Sequence, residues 1–283
     1  MQDREDELMT DTSETEAINK TKGLPATVNS IAADLSELGV SSGMTLLVHS
    51  SLSSLGWVCG GPVGVILALE SVLGTDGTLA MPAHSGDLSD PSRWRRPPIP
   101  ESWWELVRRE MPAYDVDLTP TRGVGAVAEC FRKQKGTIRS SHPSVSFSAR
   151  GPLAKVLIDN AELDFPTGDD SFLGRLYDVD GSVLFLGTDF RCATSLHLAE
   201  FRARYAGRKI IRCGAPIIVD GKRRWVEYDD IECDDSDFPR VESCFAEESG
   251  RMRKGRVANG VAMLVSHRAL VDFATDWMEK NRE

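Results

Sequence analysis

SVLFLGTDFRCATSLHLAEFRARY, residues Ser182 to Tyr205, puts three signals in one stretch. Ser182 to Leu186 is a short apolar run closed by Gly187, the pattern of a strand buried on both faces of an α/β sheet. In such sheets ligands bind beyond the carboxyl ends of the strands, so Thr188 to Ala193 predicts a loop at a ligand site. A helix follows, with Thr194 or Ser195 as candidate N-cap. His197 and Glu200 are three residues apart on that helix, so they share a face and can hydrogen-bond. The helix dipole disfavours an imidazolium in the first turns while the glutamate favours it, a setting suited to a general base. The same residues also fit a capping or core histidine beside a solvated carboxylate, and the segment alone leaves both readings open.

The chain has 283 residues, 41% of them hydrophobic, enough for a sizeable core in one large domain or two small ones. A net charge of -10 argues against a nucleic-acid partner, which calls for clustered Lys and Arg, and suits a cationic ligand instead. No apolar run reaches the roughly 20 residues that span a bilayer, and no secretory pattern opens the chain, so we expect a cytoplasmic protein without a membrane partner, monomeric or homodimeric. Six cysteines lie scattered without CxxC or paired Cys/His spacing, which predicts reduced thiols rather than disulfides or a zinc site. His197 and Glu200 offer two metal ligands, but His49, His84, His142 and His267 are dispersed, so no metal is expected.

Residues 1–23 read as a mobile acidic tail, and 24–283 as the folded domain. Within that domain Val28 to Leu38 predicts an amphipathic helix, and Met44 to Val48 a buried strand. The Ser/Gly loop HSSLSSLGWVCGGP, from His49, then leads into a helix over Val63 to Leu73. Such a loop presents amides and hydroxyls that can hold phosphate or a thin polar chain, although the spacing is neither a P-loop nor GxGxxG. Residues 83–121 are rich in Pro and Trp and predict a connection on the substrate side, where Tyr114 and Asp115 would suit a cation. Further on, Ile210 to Tyr228 predicts antiparallel strands about a turn at Asp220 and Gly221, followed by the acidic run DDIECDDSDF from Asp229.

Five separate pieces then agree in order: VHSSLSSLG from Val48, GTLAMP from Gly77, RSSHPSVSFSARG from Arg139, DDSFLGRL from Asp169 and TSLHLAE from Thr194. Together they resemble the aminoglycoside 3-N-acetyltransferases, from roughly Leu35 to Trp277. The resemblance implies an α/β fold, a layered mixed sheet with flanking helices, distinct from that of the common acetyltransferase superfamily. It also implies acetyl-coenzyme A as co-substrate and direct acetylation of the 3-amino group of an aminoglycoside, which confers antibiotic resistance. His197 matches the catalytic histidine of the family, Glu200 the adjacent glutamate, and Asp230 or Glu232 a downstream acid that orients the imidazole. The coenzyme is expected at Ser50, Ser51, Ser53, Ser54, Leu55 and Gly56, with Thr78, Ser171 and Phe172; the substrate is expected at Tyr114, Asp115, Asp189, Glu200 and Asp230. Ala193 stands where relatives often carry Asn. Acetylation of another amine metabolite, or non-catalytic binding of a small molecule, are the alternatives that these motifs leave open.

Overall fold

The computed structural model describes residues 14–95, 97–159 and 162–283. Three parallel strands form the middle of a sheet: β1 (Thr45–Ser50), β2 (Thr78–Pro82) and, after two short strands β3 (Ile138–Arg139) and β4 (Phe147–Arg150), β5 (Ser182–Leu186). A long hairpin, β6 (Ile210–Val219) with β7 (Lys222–Ile231), stands apart as a two-stranded sheet. The last strands β8 (Arg253–Val257) and β9 (Gly260–Ser266) return to the main sheet, whose seven strands run β3-β4-β2-β1-β5-β9-β8 with antiparallel pairing outside the central three.

Alternation along the central strands explains the layers. Leu47, Val183 and Phe185 point into one apolar cluster, whereas Leu46, Val48, Leu184 and Leu186 point into another on the opposite face. Each face therefore needs a cover of helices, which is why these strands read as unbroken apolar runs. Residues 14–20 (α1), Val28–Leu38 (α2), Gly61–Leu73 (α3), Trp104–Glu110 (α4) and Gly125–Arg132 (α5) precede the middle of the chain; Ala154–Ile158 (α6), Phe172–Asp178 (α7), Ser195–Arg202 (α8), Phe238–Glu248 (α9) and His267–Asn281 (α10) follow. Helices α2, α3 and α5 cover the second cluster, and α6 to α10 the first. Among the described residues no helix is long and apolar enough to cross a membrane.

Several expectations need correction. The tail reading over 1–23 falls partly on residues 1–13, outside the described part; residues 14–20 are helical, and Trp57 fixes this segment through Nε1 to Glu14 Oε1 at 3.1 Å and its amide to Thr21 Oγ1 at 2.7 Å. The hairpin is longer than the alternation suggested, with positive φ at Asp220 and Gly221 (51° and 72°) making the tight turn that twisted hairpins favour. Within residues 83–121 the sequence also suits a short helix over Glu101 to Glu110, and α4 lies there; the Arg223 guanidinium of the hairpin donates to carbonyls of Arg108 and Met111. Strand β8 and helix α9, which read as polar sequence, were not foreseen.

Candidate active site

β1 and β5 are neighbours in register, Ser50 opposite Leu186, so the loops that leave their carboxyl ends emerge side by side. Gly187 permits the close approach: at φ +72° a Cβ there would lie 2.7 Å from Ser54 Cβ and 3.0 Å from Ser51 O. α8 then begins with Thr194 as N-cap, yet no side chain caps it. The two hydroxyls expected to cap instead meet histidines, Thr194 Oγ1 lying 3.3 Å from His49 Nε2 and Ser195 Oγ 2.9 Å from His267 Nδ1.

On this helix His197 Nδ1 lies 2.5 Å from Glu200 Oε2. Glu200 is fully buried, not the solvated carboxylate of the alternative reading. Its second oxygen accepts from the Asp234 amide at 2.9 Å and from Arg282 Nη1 at 2.6 Å. Arg282 in turn clasps Asp237 through Nε at 2.8 Å and Nη2 at 2.6 Å, and donates to Asp234 O at 2.7 Å. Sequence reasoning missed Arg282, which sits beyond the last helix and carries no motif. Burial of the imidazole opposes its protonation, but contact with the Cys233 sulfur and with the Glu200 carboxylate outweighs that and pushes the His197 pKa up. Burial also pushes the Cys233 thiol up, opposed by its contact with His197.

Of the three acids offered as partner to His197, Glu200 is the one in hydrogen-bond contact. Glu232 is displaced to the surface, 3.8 Å from Lys209 Nζ. Asp230 is partly buried; burial pushes its pKa up to about 6, opposed by the Ile231 amide on its carboxylate and by the charge of His197.

A cavity of about 1090 Å³ opens on the other side of the imidazole, lined by His197 and Phe238, by the loops after β1 and β5, and by the start of α5. Ser50, Ser51, Ser53 and Gly56 line it as expected residues, but Ser54 and Leu55 do not: Ser54 Oγ bonds Ser51 Oγ at 2.9 Å, and Leu55 is in the core. Thr78, Ser171 and Phe172 are displaced from it by structural duties. Thr78 Oγ1 accepts from the Leu153 amide at 3.0 Å, Ser171 caps α7, and Phe172 stacks on Phe147 with ring centroids 4.1 Å apart. Tyr114 is likewise buried, its hydroxyl donating to Ser140 O at 2.7 Å. Asp115 closes an exposed turn onto the amides of Asp117 and Leu118, and Asp189 caps the short turn before α8 while pairing with Arg191. With both oxygens engaged, Glu200 is not free to hold a substrate.

The electrostatics of the cavity point to an anion. α3 starts after Gly60, α5 after Val124 and α8 after Thr194, none with a side-chain cap bond, and all three starts face the same space. The positive ends of three helix dipoles thus converge there, although the amides of Gly61, Leu196 and His197 are already bonded to the carbonyls of Val58, Ala193 and Thr194. Arg191, another residue that sequence reasoning missed, adds a guanidinium at the wall. Ser50 Oγ and His84 Nδ1 also line the cavity and are buried without a partner among the described residues. His84 stays neutral, since burial and then the charge of His197 hold its pKa down to about 4.

Comparison with known proteins adds to this geometry. A family model described as aminoglycoside 3-N-acetyltransferase matches residues 47–279. The chain is 46% identical over 258 residues to the SPbeta prophage-derived aminoglycoside N(3')-acetyltransferase-like protein YokD of Bacillus subtilis, covering 91% of this chain and 94% of that protein. The crystal structure of YokD superposes with a TM-score of 0.91 at 45% identity, covering 94% of this chain and 98% of that one. Aminoglycoside N(3)-acetyltransferase VIII of Streptomyces fradiae is 37% identical over 280 residues, 94% of this chain and 96% of its own. A structure of AAC-IIIb as a binary complex with CoASH matches with a TM-score of 0.81 at 29% identity over 91% of this chain and 97% of that one. The layered mixed sheet with flanking helices is the architecture these proteins share.

Proposed function

The chain belongs to the aminoglycoside 3-N-acetyltransferase family, and we propose that it transfers the acetyl group of acetyl-coenzyme A directly to the 3-amino group of an aminoglycoside, with His197 as general base. One observation carries the reading: His197 lines the anion-suited cavity while its ring is held by a fully buried carboxylate. The cavity is the seat of the coenzyme in this proposal. The converging helix starts and Arg191 suit its phosphates, and the related AAC-IIIb was solved with CoASH.

The amine nitrogen attacks the thioester carbonyl carbon, its proton passes to His197, the C–S bond breaks, and the coenzyme thiolate takes up a proton as it leaves. Glu200 fixes the ring and stabilises the imidazolium that forms. General-base assistance contributes about 10²–10⁴-fold, and holding the two reactants together up to about 7–11 kcal/mol, so positioning is the larger effect. The hydroxyls of Ser50 and Ser53 line the cavity, and in this proposal they receive the charge that develops on the thioester oxygen. Asp230, partly buried and near enough for His197 to act on its pKa, is the proposed contact for a substrate ammonium.

Thiol release from acetyl-coenzyme A across a panel of aminoglycosides and simpler amines tests this. Release should require an aminoglycoside, and His197→Ala should lower kcat by at least about 10²-fold while coenzyme binding is retained. Release with simpler amines alone would favour the other-metabolite reading, and no release with any amine would favour a binding protein. A His197→Ala variant with most of its turnover intact would remove the general base from the scheme.

A further inference from the structure

Cys233 belongs to no motif and does not line the large cavity, yet its thiol reaches the working histidine. One ligand atom each from His197, Glu200 and Cys233 lies within 4.8 Å of the other two. An imidazole nitrogen, a thiol sulfur and a carboxylate oxygen form a donor set that suits zinc and similar borderline-soft divalent ions, whereas magnesium and calcium demand six or more oxygens. Three protein ligands leave a fourth, tetrahedral position open to water.

We propose that His197, Glu200 and Cys233 form a zinc-binding site whose occupation switches acetyl transfer off. Access is from the surface at Cys233, an exposed residue whose thiol is turned inward against the His197 side chain, itself 23% exposed. The contest inside the site is well defined. Glu200 Oε1 is committed to the Asp234 amide and Arg282, so an ion can take only Oε2, the oxygen that holds His197 Nδ1. A metal there must therefore break the contact that orients the imidazole. Zinc bonds of about 2.0–2.3 Å place tetrahedral ligand atoms about 3–4 Å apart, so closing the site needs side-chain movement of roughly 1 Å. Binding releases the Cys233 thiol proton to solvent and leaves the sulfur as thiolate.

Binding does not depend on the activity proposed above; only the switch rests on that reading, so the two can fail separately. The full-length protein is titrated with Zn²⁺ against a chromophoric chelator and, in parallel, with Co²⁺ followed by absorption. Wild type should bind one ion, and its cobalt form should show thiolate-to-metal charge transfer. Cys233→Ser should abolish that band and weaken Zn²⁺ at least about tenfold, the lower end of what even outer-shell losses cost. His197→Ala should weaken it comparably, while Cys192→Ser, at the cavity wall, should bind as wild type does. A wild-type protein without the thiolate band, or a Cys233→Ser protein that keeps its affinity, overturns the site. Acetyl-coenzyme A consumption, read by thioester absorbance, should fall with zinc occupancy in wild type and recover on chelation; full turnover in the zinc-loaded protein overturns the switch.

Discussion

Replacing Arg282 with methionine should damage both stability and catalysis, although the residue is the second to last in the chain and lies outside the cavity. Its side chain is only 9% exposed and joins two carboxylates, Glu200 at 0% and Asp237 at 16% exposure. Methionine fills a similar volume without charge, so the change isolates electrostatics from packing. Removing one partner of a buried ion pair costs about 3–5 kcal/mol, because the remaining charge stays uncompensated. Without the guanidinium Glu200 also loses one of the two donors that fix its carboxylate, and with it the geometry that orients His197 in the proposed reaction. Loss of kcat of about 10²-fold is the matching kinetic expectation, the size of effect that a misplaced or weakened base produces.

Urea unfolding and steady-state thiol release measure the two effects on one preparation. Arg212→Met is the control, since Arg212 is 57% exposed and bridges Glu227 and Asp229 at the surface, where a pair contributes about 0–1 kcal/mol. The double variant Arg282→Met with Glu200→Gln should be less unstable than the two single losses added together, because the charge stranded by the first change is removed by the second. An Arg282→Met protein within about 1 kcal/mol of wild type and within twofold in kcat would refute the idea that this guanidinium underwrites the dyad.

Other expectations follow from the same geometry. Arg191→Glu, which reverses charge at the wall of the cavity, should raise KM for acetyl-coenzyme A roughly fivefold with little change in kcat, and the difference should shrink in high salt. Burial holds His49 near pKa 3 and His142 and His267 near 4, below the unfolded value of about 6.5, so the unfolded chain binds the extra protons: stability is complete above pH 6.5 and is lost as pH falls from there toward 4. At pH 5 each of the three costs about 2 kcal/mol, and thermal unfolding between pH 7 and 5 should show a steep fall in Tm; a flat profile would contradict neutral burial of these rings.

The sequence was most informative where local chemistry and tertiary role coincide. Ser182–Leu186 is buried on both faces and nothing interrupts its apolar run, so the strand was readable to the residue, while the start of the following helix was readable to within one residue and its end was not. His197 and Glu200 were readable as a pair because three-residue spacing on a helix dictates contact whatever surrounds it. Tyr114 and Asp115 misled for the opposite reason: an aromatic and a carboxylate suit a cation by type, but the hydroxyl of one is spent on Ser140 and the carboxylate of the other on a turn. Arg282 and Cys233 were invisible because their meaning is entirely long-range, set by a helix that ends beside α8 and by a loop that follows the hairpin.

The raised pKa of His197 poses a question that the surrounding charges answer. A base whose pKa lies above its ordinary value is stronger but rests protonated near neutral pH, so it must lose that proton before it can accept another. In the proposed reaction the substrate arrives as a polycation, and each ammonium brought beside an imidazolium disfavours it by like-charge repulsion. In that proposal Asp230 moderates the effect, since drawing the cation to its carboxylate would bring the positive charge near the ring without placing it in contact. Binding of the cation therefore favours the neutral imidazole at the moment an amine is present to be deprotonated. On this argument Glu200 does two jobs at different times: it holds the resting imidazolium, and it stabilises the same species again when the amine proton moves to Nε2, the ring nitrogen left free by the Glu200 contact at Nδ1. Exchanging Glu200 for glutamine should then depress the resting pKa of His197 and lower kcat together, whereas a purely structural glutamate would leave the imidazole titration, followed by NMR, where it was.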